Sequence, residues 1–283
     1  MRYINSLQGG LISFIIFLVL ALTIHGNGPS EDITLILTIS TFIFAILIGF
    51  FIARANSRFD EMRRTCAKED AFFLSLYKTS QIIGGKFAKR IGDLIDEYYI
   101  VSYDSELTNY AYKEELPYFL KMWDEVIKLK IKTSVTYQRL LNTLTSIEEY
   151  RNVASTASKE KIGYGQWTVL IILSFVILFN LFFIKTSEIH SIIITVLLST
   201  ALVIILLILR DLQNLKFGGE KSLLAESGQE IFESIGKLRY YNEKFLKKGW
   251  YDIPNNVKQY RIGLHKSGEK INIKTVRNKK YRK

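Results

Sequence analysis

Apolar residues fall along this chain in two patterns. In four stretches they run almost unbroken: 11–24, 33–53, 167–184 and 191–209. Elsewhere they recur at helical spacing among charged residues. Crossing a hydrocarbon core of ~30 Å takes about 20 mainly apolar residues. The last three stretches meet that length and hold no ionisable side chain. The first reaches it when residues 7–10 are counted. Arg2 precedes it, as in a signal peptide. However, "ALTIHGNGPS" offers a poor small-x-small cleavage site, so the span is expected to be retained.

The second pattern predicts helices through 54–166. From Thr34 to Ile83 there is no proline, and Gly49 is the one glycine, so the second span is expected to continue as a long helix. Phe59, Met62, Cys66, Phe73, Leu76 and Tyr77 give it an apolar stripe, with Arg58, Asp60, Glu61 and Arg64 on other faces. A helix is predicted over about 86–103, where Ile91, Leu94, Ile95 and Tyr98 share a face. Another starts near Pro117, which suits a first turn. A further one, "YQRLLNTLTSIEEYRNVAS", places Leu140, Leu141, Leu144 and Ile147 on one side. Strand signals are confined to "QYRIGLHKSGEKINIKTV", read as a small hairpin turning at "SG". The expected fold is an all-α integral membrane protein with four transmembrane helices and a helical cytosolic domain. Its parts are helices 1 and 2 (1–53), the cytosolic domain (54–166), helices 3 and 4 (167–209) and a basic C-terminal segment (210–283).

Charge sets the orientation. The loops "HGNGPSED" and "KTSEIHS" hold one cation between them, Lys185. Arg54, Arg58, Arg63, Arg64, Lys159, Lys161, Arg210 and Lys216 flank the other span ends. Lys and Arg favour the cytoplasmic side, so both termini are expected there, in a bacterial inner membrane. Residues 236–283 hold 15 Lys/Arg and 3 Asp/Glu, which is +12 against −1 for the remainder. Lys244, Lys247, Lys248, Lys258 and Arg261 would face anionic lipid head groups, with Trp250 and Tyr251 at the interface and Phe245 and Leu246 beneath it. In the rival reading Trp250 packs on inner helices and the lysines are solvated. The end, "IKTVRNKKYRK", also has the composition of a disordered tail. It matches no nucleic-acid module, so no nucleic-acid partner is expected.

Catalytic chemistry finds no residue set. His25, His190 and His265 are scattered, and His25 and His190 have no carboxylate or thiol partner in view. Cys66 is alone and cannot form an intramolecular disulfide. "KFGGEKS" lacks the spacing of a phosphate loop, and Glu114–Glu115 and Glu148–Glu149 read as solvated helix faces. No metal, cofactor or enzymatic activity is expected.

The stretch "RFDEMR" carries a resemblance. In bestrophins, the pentameric anion channels, the second membrane helix continues with an Arg, two bulky residues, a Glu, one residue and an Arg. Arg58, Phe59, Glu61 and Arg63 resemble that pattern in place, and Asn56 precedes them as an Asn does there. Phe59–Asp60 replaces a tryptophan-rich pair, a departure found in a bacterial family of four-span proteins called bestrophin-like. "ANSRFDEMRRTCAKEDAFFLSLY", "GQWTVLIILSFVILFNLFF" and "LLILRDLQNLKFGGE" are similar to blocks of that family, over nearly the whole chain. Lys216 stands where the last block normally has a proline. The resemblance implies the fold, a homo-oligomer (a pentamer by analogy), small inorganic anions as cargo, and a second helix lining the pore. It does not carry over calcium control, because Asp211 and Glu220 are the sole acids near the end of the fourth span.

Within the second span, Thr34, Thr38, Thr41, Ala45 and Ile48 share a face. A mildly polar stripe entering an apolar constriction suits a pore. The same residue types suit close helix packing. Asn180, in the third span, is expected to bond across helices. Two functions stay open on the residues: an oligomeric anion channel, and a non-conducting membrane scaffold or sensor acting through its inner helices and basic tail.

Overall fold

The unbroken apolar stretches form four helices: α1 (Ser6–Thr23), α2 (Glu31–Ile83), α6 (Tyr164–Ile184) and α7 (Ile189–Gln213). All four stretches are long and apolar enough to cross a membrane. The computed structural model describes residues 4–104, 112–130, 134–215, 228–249, 253–265 and 269–279. The chain divides into two units, Met1–Phe59 with Lys161–Phe217 and Asp60–Glu160 with Gly218–Lys283.

The first unit is an integral membrane protein by its surface. Leu11, Ile15, Phe42, Phe50, Phe175 and Leu197 are exposed, a pattern that lipid satisfies and water does not. Its core joins Phe44, Ile48, Phe51 and Ala55 of α2 to Leu170, Ile177 and Leu181 of α6 and Leu202, Leu209 and Leu212 of α7. α1 lies on α7. A Cβ on Gly9 would come 2.4 Å from Leu207, and one on Gly10 would come 2.8 Å from Ile204, so glycine sets how closely the two helices approach. Between α1 and α2, the Asn27 amide donates to the Phe183 carbonyl at 2.8 Å, which ties that connection to the end of α6.

α2 runs 53 residues without a break, as the absence of proline requires. In the second unit its stripe meets α3 (Gly85–Tyr103), α4 (Tyr112–Ile127) and α5 (Val135–Lys159). Met62, Phe73, Leu76, Ile91, Leu94, Ile95, Leu140, Leu144 and Ile147 are all buried. Pro117 departs from the expected first turn and lies inside α4, which starts five residues earlier.

The basic C-terminal segment is folded over most of its length, which corrects the reading of its end as disordered. α8 (Gln229–Ser234) leads to β1 (Tyr240–Asn242), α9 (Glu243–Lys247), β2 (Gln259–Gly263) and β3 (Ile273–Arg277). β2 and β3 pair antiparallel, as the hairpin reading expects; its "SG" turn lies outside the described residues. β1 pairs parallel with β2 and was not visible in the sequence. The Gln229 amide group holds β1 from both sides, donating to the Tyr240 carbonyl at 2.7 Å and accepting from its N–H at 3.0 Å.

Candidate functional site

In the first unit, three blocks of sequence converge on one residue. Arg58 of α2 is buried and donates to the Gln213 carbonyl at 2.8 Å. Trp167, in the first turn of α6, donates its indole N–H to the Gln213 side-chain oxygen at 2.7 Å. Gln213 ends α7, where carbonyls lack intrahelical partners and a guanidinium is favoured. Two residues earlier, buried Asp211 accepts the Ser6 N–H at 3.0 Å and the Arg210 guanidinium at 2.8 Å. Arg210 in turn donates to the Ile4 carbonyl at 2.5 Å. The run from Arg210 to Gln213, at the end of α7, therefore ties together the starts of α1 and α6 and the middle of α2. Asn56, Glu61 and Arg63 are exposed and Phe59 half-buried, so Arg58 is the member of that motif built into this junction.

The stripe on α2 divides. Thr34, Thr38, Thr41 and Ala45 are exposed on the protomer, whereas Ile48 is drawn into the core beside Phe44 and Phe51. Thr34 and Thr38 return their hydroxyls to the carbonyls of Ser30 and Thr34, at 2.7 and 2.8 Å, so their methyl groups and backbone form the outer face. An open hollow of about 460 Å³ lies there, lined by Pro29, Ser30, Glu31, Thr34, Leu35 and Thr38. Asn180 is buried, but its amide nitrogen has no hydrogen-bond partner, so the expected bond across helices is not formed through that atom. His190, in the first turn of α7, does have a carboxylate neighbour, the N-cap residue Glu188, at 2.9 Å, and both side chains are exposed.

The second unit holds two buried polar clusters. In one, the Tyr98 hydroxyl donates to Glu69 and the Tyr99 hydroxyl to Asp70. Arg151, with no exposed surface, lies over the rings of Tyr98 at 5.1 Å and Phe119 at 4.6 Å. Burial, then the charges of Asp70 and Glu69, push the Tyr99 hydroxyl well above the ordinary tyrosine range. Burial also raises Tyr241, against the pull of Arg239. Both tyrosines therefore ionise more readily in the unfolded chain. Their contribution to stability is full below pH ~10 and is lost as pH rises toward their folded values. The unfolding free energy of the second unit, read from urea titrations, is expected to fall above pH ~10, at up to about 1.4 kcal/mol per pH unit for each tyrosine. Tyr99→Phe is expected to shallow that decline; an unchanged slope would refute the assignment.

In the other cluster, Asp104 ends α3 and accepts three donors. Tyr240 and Asn242 reach Oδ1, each at 2.7 Å, and His265 Nε2 reaches Oδ2 at 2.7 Å. His265 Nδ1 lies 3.1 Å from both the N–H and the carbonyl oxygen of Asn272, so that residue can partner the ring nitrogen as donor or as acceptor. Both ring nitrogens are engaged, so the pair has no free base to offer a nucleophile. A Cβ on Gly263 would come 1.9 Å from the Tyr240 hydroxyl, so glycine there lets the tyrosine reach Asp104. Burial raises the Asp104 carboxyl above the ordinary range, against the lowering effect of its three donors.

The expected membrane-facing cations separate as well. Arg261 turns inward, with both guanidinium nitrogens on the Asp96 carboxylate at 2.6 and 2.9 Å and its plane over Phe232. Phe245, expected beneath the head groups, is wholly buried in the unit. Lys244 and Lys248 are exposed near the Phe245 ring, Lys247 pairs with Glu243 at 2.9 Å, and Lys258 is exposed. Trp250 and Tyr251 lie outside the described residues, as do Lys216, Glu220 and the segment "KFGGEKS".

Residues 9–222 match the sequence profile of the bestrophin-like domain. The fold is similar to a crystal structure of a bacterial bestrophin homologue from Klebsiella pneumoniae carrying a tryptophan-to-alanine substitution. That match has a TM-score of 0.63 at 13% identity, covering 83% of this chain and 100% of that one. A second structure of the Klebsiella homologue, with an aspartate-to-alanine substitution, gives 0.61 at 13% identity over 82% and 98% of the two chains. A crystal structure described as a membrane protein gives 0.58 at 14% identity over 82% and 98%. No curated protein matches the chain.

Proposed function

We propose that this chain, which belongs to the bestrophin-like domain family, is the subunit of an oligomeric ion channel that conducts small inorganic anions, with α2 lining the pore. One observation supports the reading most. Thr34, Thr38, Thr41 and Ala45 form an exposed, weakly polar face on a helix whose other side is packed into the core. A pore needs a face that each subunit leaves uncovered, apolar enough to gate by dewetting and without fixed charge to trap an ion. A coupled transporter more often places an ionisable group at mid-membrane. The proposal includes a pentameric ring in a bacterial inner membrane. Both termini and the second unit are cytoplasmic, and Lys244, Lys248 and Lys258 lie near the inner leaflet.

Single-channel recording of the purified oligomer in planar bilayers tests this. Anion-selective openings are expected, and Thr38→Phe is expected to lower unitary conductance on the order of tenfold by narrowing the pore. Ile39 lies about 140° round the helix from Thr34, so Ile39→Phe is expected to leave conductance unchanged. A silent bilayer from an intact oligomer, across voltage, pH and calcium, would refute the channel. That result would favour the scaffold reading, which draws its support from the folded C-terminal segment.

A further inference from the structure

The three-stranded sheet ends on β3, and among the described residues no strand lies on its outer edge. In an antiparallel pair, backbone groups alternate between bonding the neighbour and pointing away from it. The Leu264 N–H donates to the Asn272 carbonyl at 2.9 Å, and the Asn278 N–H donates to the Lys258 carbonyl at 3.0 Å. Positions 272, 274, 276 and 278 therefore bond β2. Ile273, Thr275 and Arg277 turn their N–H and C=O groups outward, an alternating row of donors and acceptors. Around that row Lys274, Arg277, Lys270 and Lys279 are exposed, and among the described residues they form no ion pair.

We propose that the outer edge of β3 docks an extended acidic segment of a partner protein, which adds to the sheet as a further strand. The backbone row selects the kind of partner. A lipid phosphate or a nucleic-acid backbone offers acceptors only and leaves the outward carbonyls unmet. A peptide strand offers both donors and acceptors at matching intervals. The cations select its charge. A second copy of this chain pairing edge to edge would bring the same lysines and arginine against themselves, the usual guard against self-association of an edge strand. Glutamates or aspartates on the incoming strand would meet Lys274 on one face of the sheet and Arg277 on the other, since the two positions differ by an odd number.

The test uses the full chain in nanodiscs of neutral phosphatidylcholine, which removes anionic lipid as a competitor. The probe is a labelled peptide of about eight residues repeating glutamate–glutamate–valine–valine, which sets glutamates on both faces, followed by fluorescence anisotropy. Saturable binding is expected, with little binding of a threonine–valine peptide. Thr275→Pro removes an outward N–H and no bond to β2, so it is expected to weaken binding about tenfold while leaving the sheet intact. N-methylating alternate amides of the probe is expected to do the same to the unaltered protein, which guards against a misfolded variant. Reversing charge in a Lys274→Glu, Arg277→Glu double variant is expected to transfer the preference to a lysine–valine peptide. The proposal is overturned if the acidic peptide does not bind, if it binds the proline variant or in its N-methylated form as tightly as the unaltered pair, or if the charge reversal leaves the preference unmoved.

Discussion

Arg151→Ala is expected to lower the melting temperature of the second unit by on the order of 10 °C. The side chain is wholly buried on α5, with Tyr98 and Phe119 about its guanidinium. Its loss leaves a void between α3, α4 and α5 and removes two desolvated cation–ring contacts. Truncating a large buried side chain costs about 3–5 kcal/mol, and desolvated cation–ring contacts contribute about 2 kcal/mol or more. At about 2–4 °C per kcal/mol for a unit of this size, the shift is well outside measurement error. Arg151→Lys is expected to recover little of it, because an ammonium is neither planar nor able to stack on two rings. Thermal melts followed by near-ultraviolet circular dichroism report on these aromatic side chains. A lysine variant that melts with the unaltered protein would show that charge alone sets the stability here.

Asp104→Ala is expected to release the C-terminal sheet from α3. The substitution leaves the Tyr240 hydroxyl, the Asn242 amide and the His265 imidazole without their shared acceptor in a dry site. Each unmet donor costs about 1–3 kcal/mol before relaxation, so a loss of roughly 3–5 kcal/mol is expected after it. Hydrogen exchange of the β1 and β2 amides should accelerate by two orders of magnitude or more, while amides of α7 stay protected. Asp104→Asn separates shape from charge. Its amide nitrogen, turned toward His265, would take Nε2 as its acceptor and place the imidazole proton on Nδ1, within reach of the Asn272 carbonyl at 3.1 Å. Nitrogen-15 shifts of the imidazole read that tautomer directly. If they are unchanged in the asparagine variant, Nε2 is not the donor to Asp104.

Most helices were legible because their determinants are local. The absence of proline from Thr34 to Ile83 suffices to predict a continuous α2, and the spacing of Leu140, Leu144 and Ile147 suffices to predict a buried face of α5. The features that failed to show depend on partners far away in sequence. Arg151 follows "EEY", whose glutamates read as a solvated face, and nothing nearby announces that Tyr98 and Phe119 will enclose it. The three residues of β1 are too few to make a periodic signal, and their neighbour comes after another helix. The basic count of the C-terminal segment is real, but it treated Arg261 and Lys237 as free. Their acids, Asp96 and Asp93, lie on α3, 165 and 144 residues earlier. In the membrane unit the motif around Arg58 was visible, but Gln213, the residue that joins it to Trp167, looked like any polar residue at a helix end. A buried amide bonding two elements has no signature in composition or period.

The bond from the Ser6 N–H to Asp211 spans 205 residues, and that separation sets an order of events during synthesis. At about 5–20 residues per second, roughly 10–40 s pass between the emergence of α1 from the ribosome and that of the end of α7. Throughout that interval the start of α1 has no acceptor from Asp211, and Gly9 and Gly10 have no helix against them. α1 is thus made well before α7 yet seated only after it, and the nascent chain must keep it in lipid meanwhile. A ribosome that stalls before Asp211 leaves a chain whose α1 is inserted but lacks the bond that latches it in the finished fold.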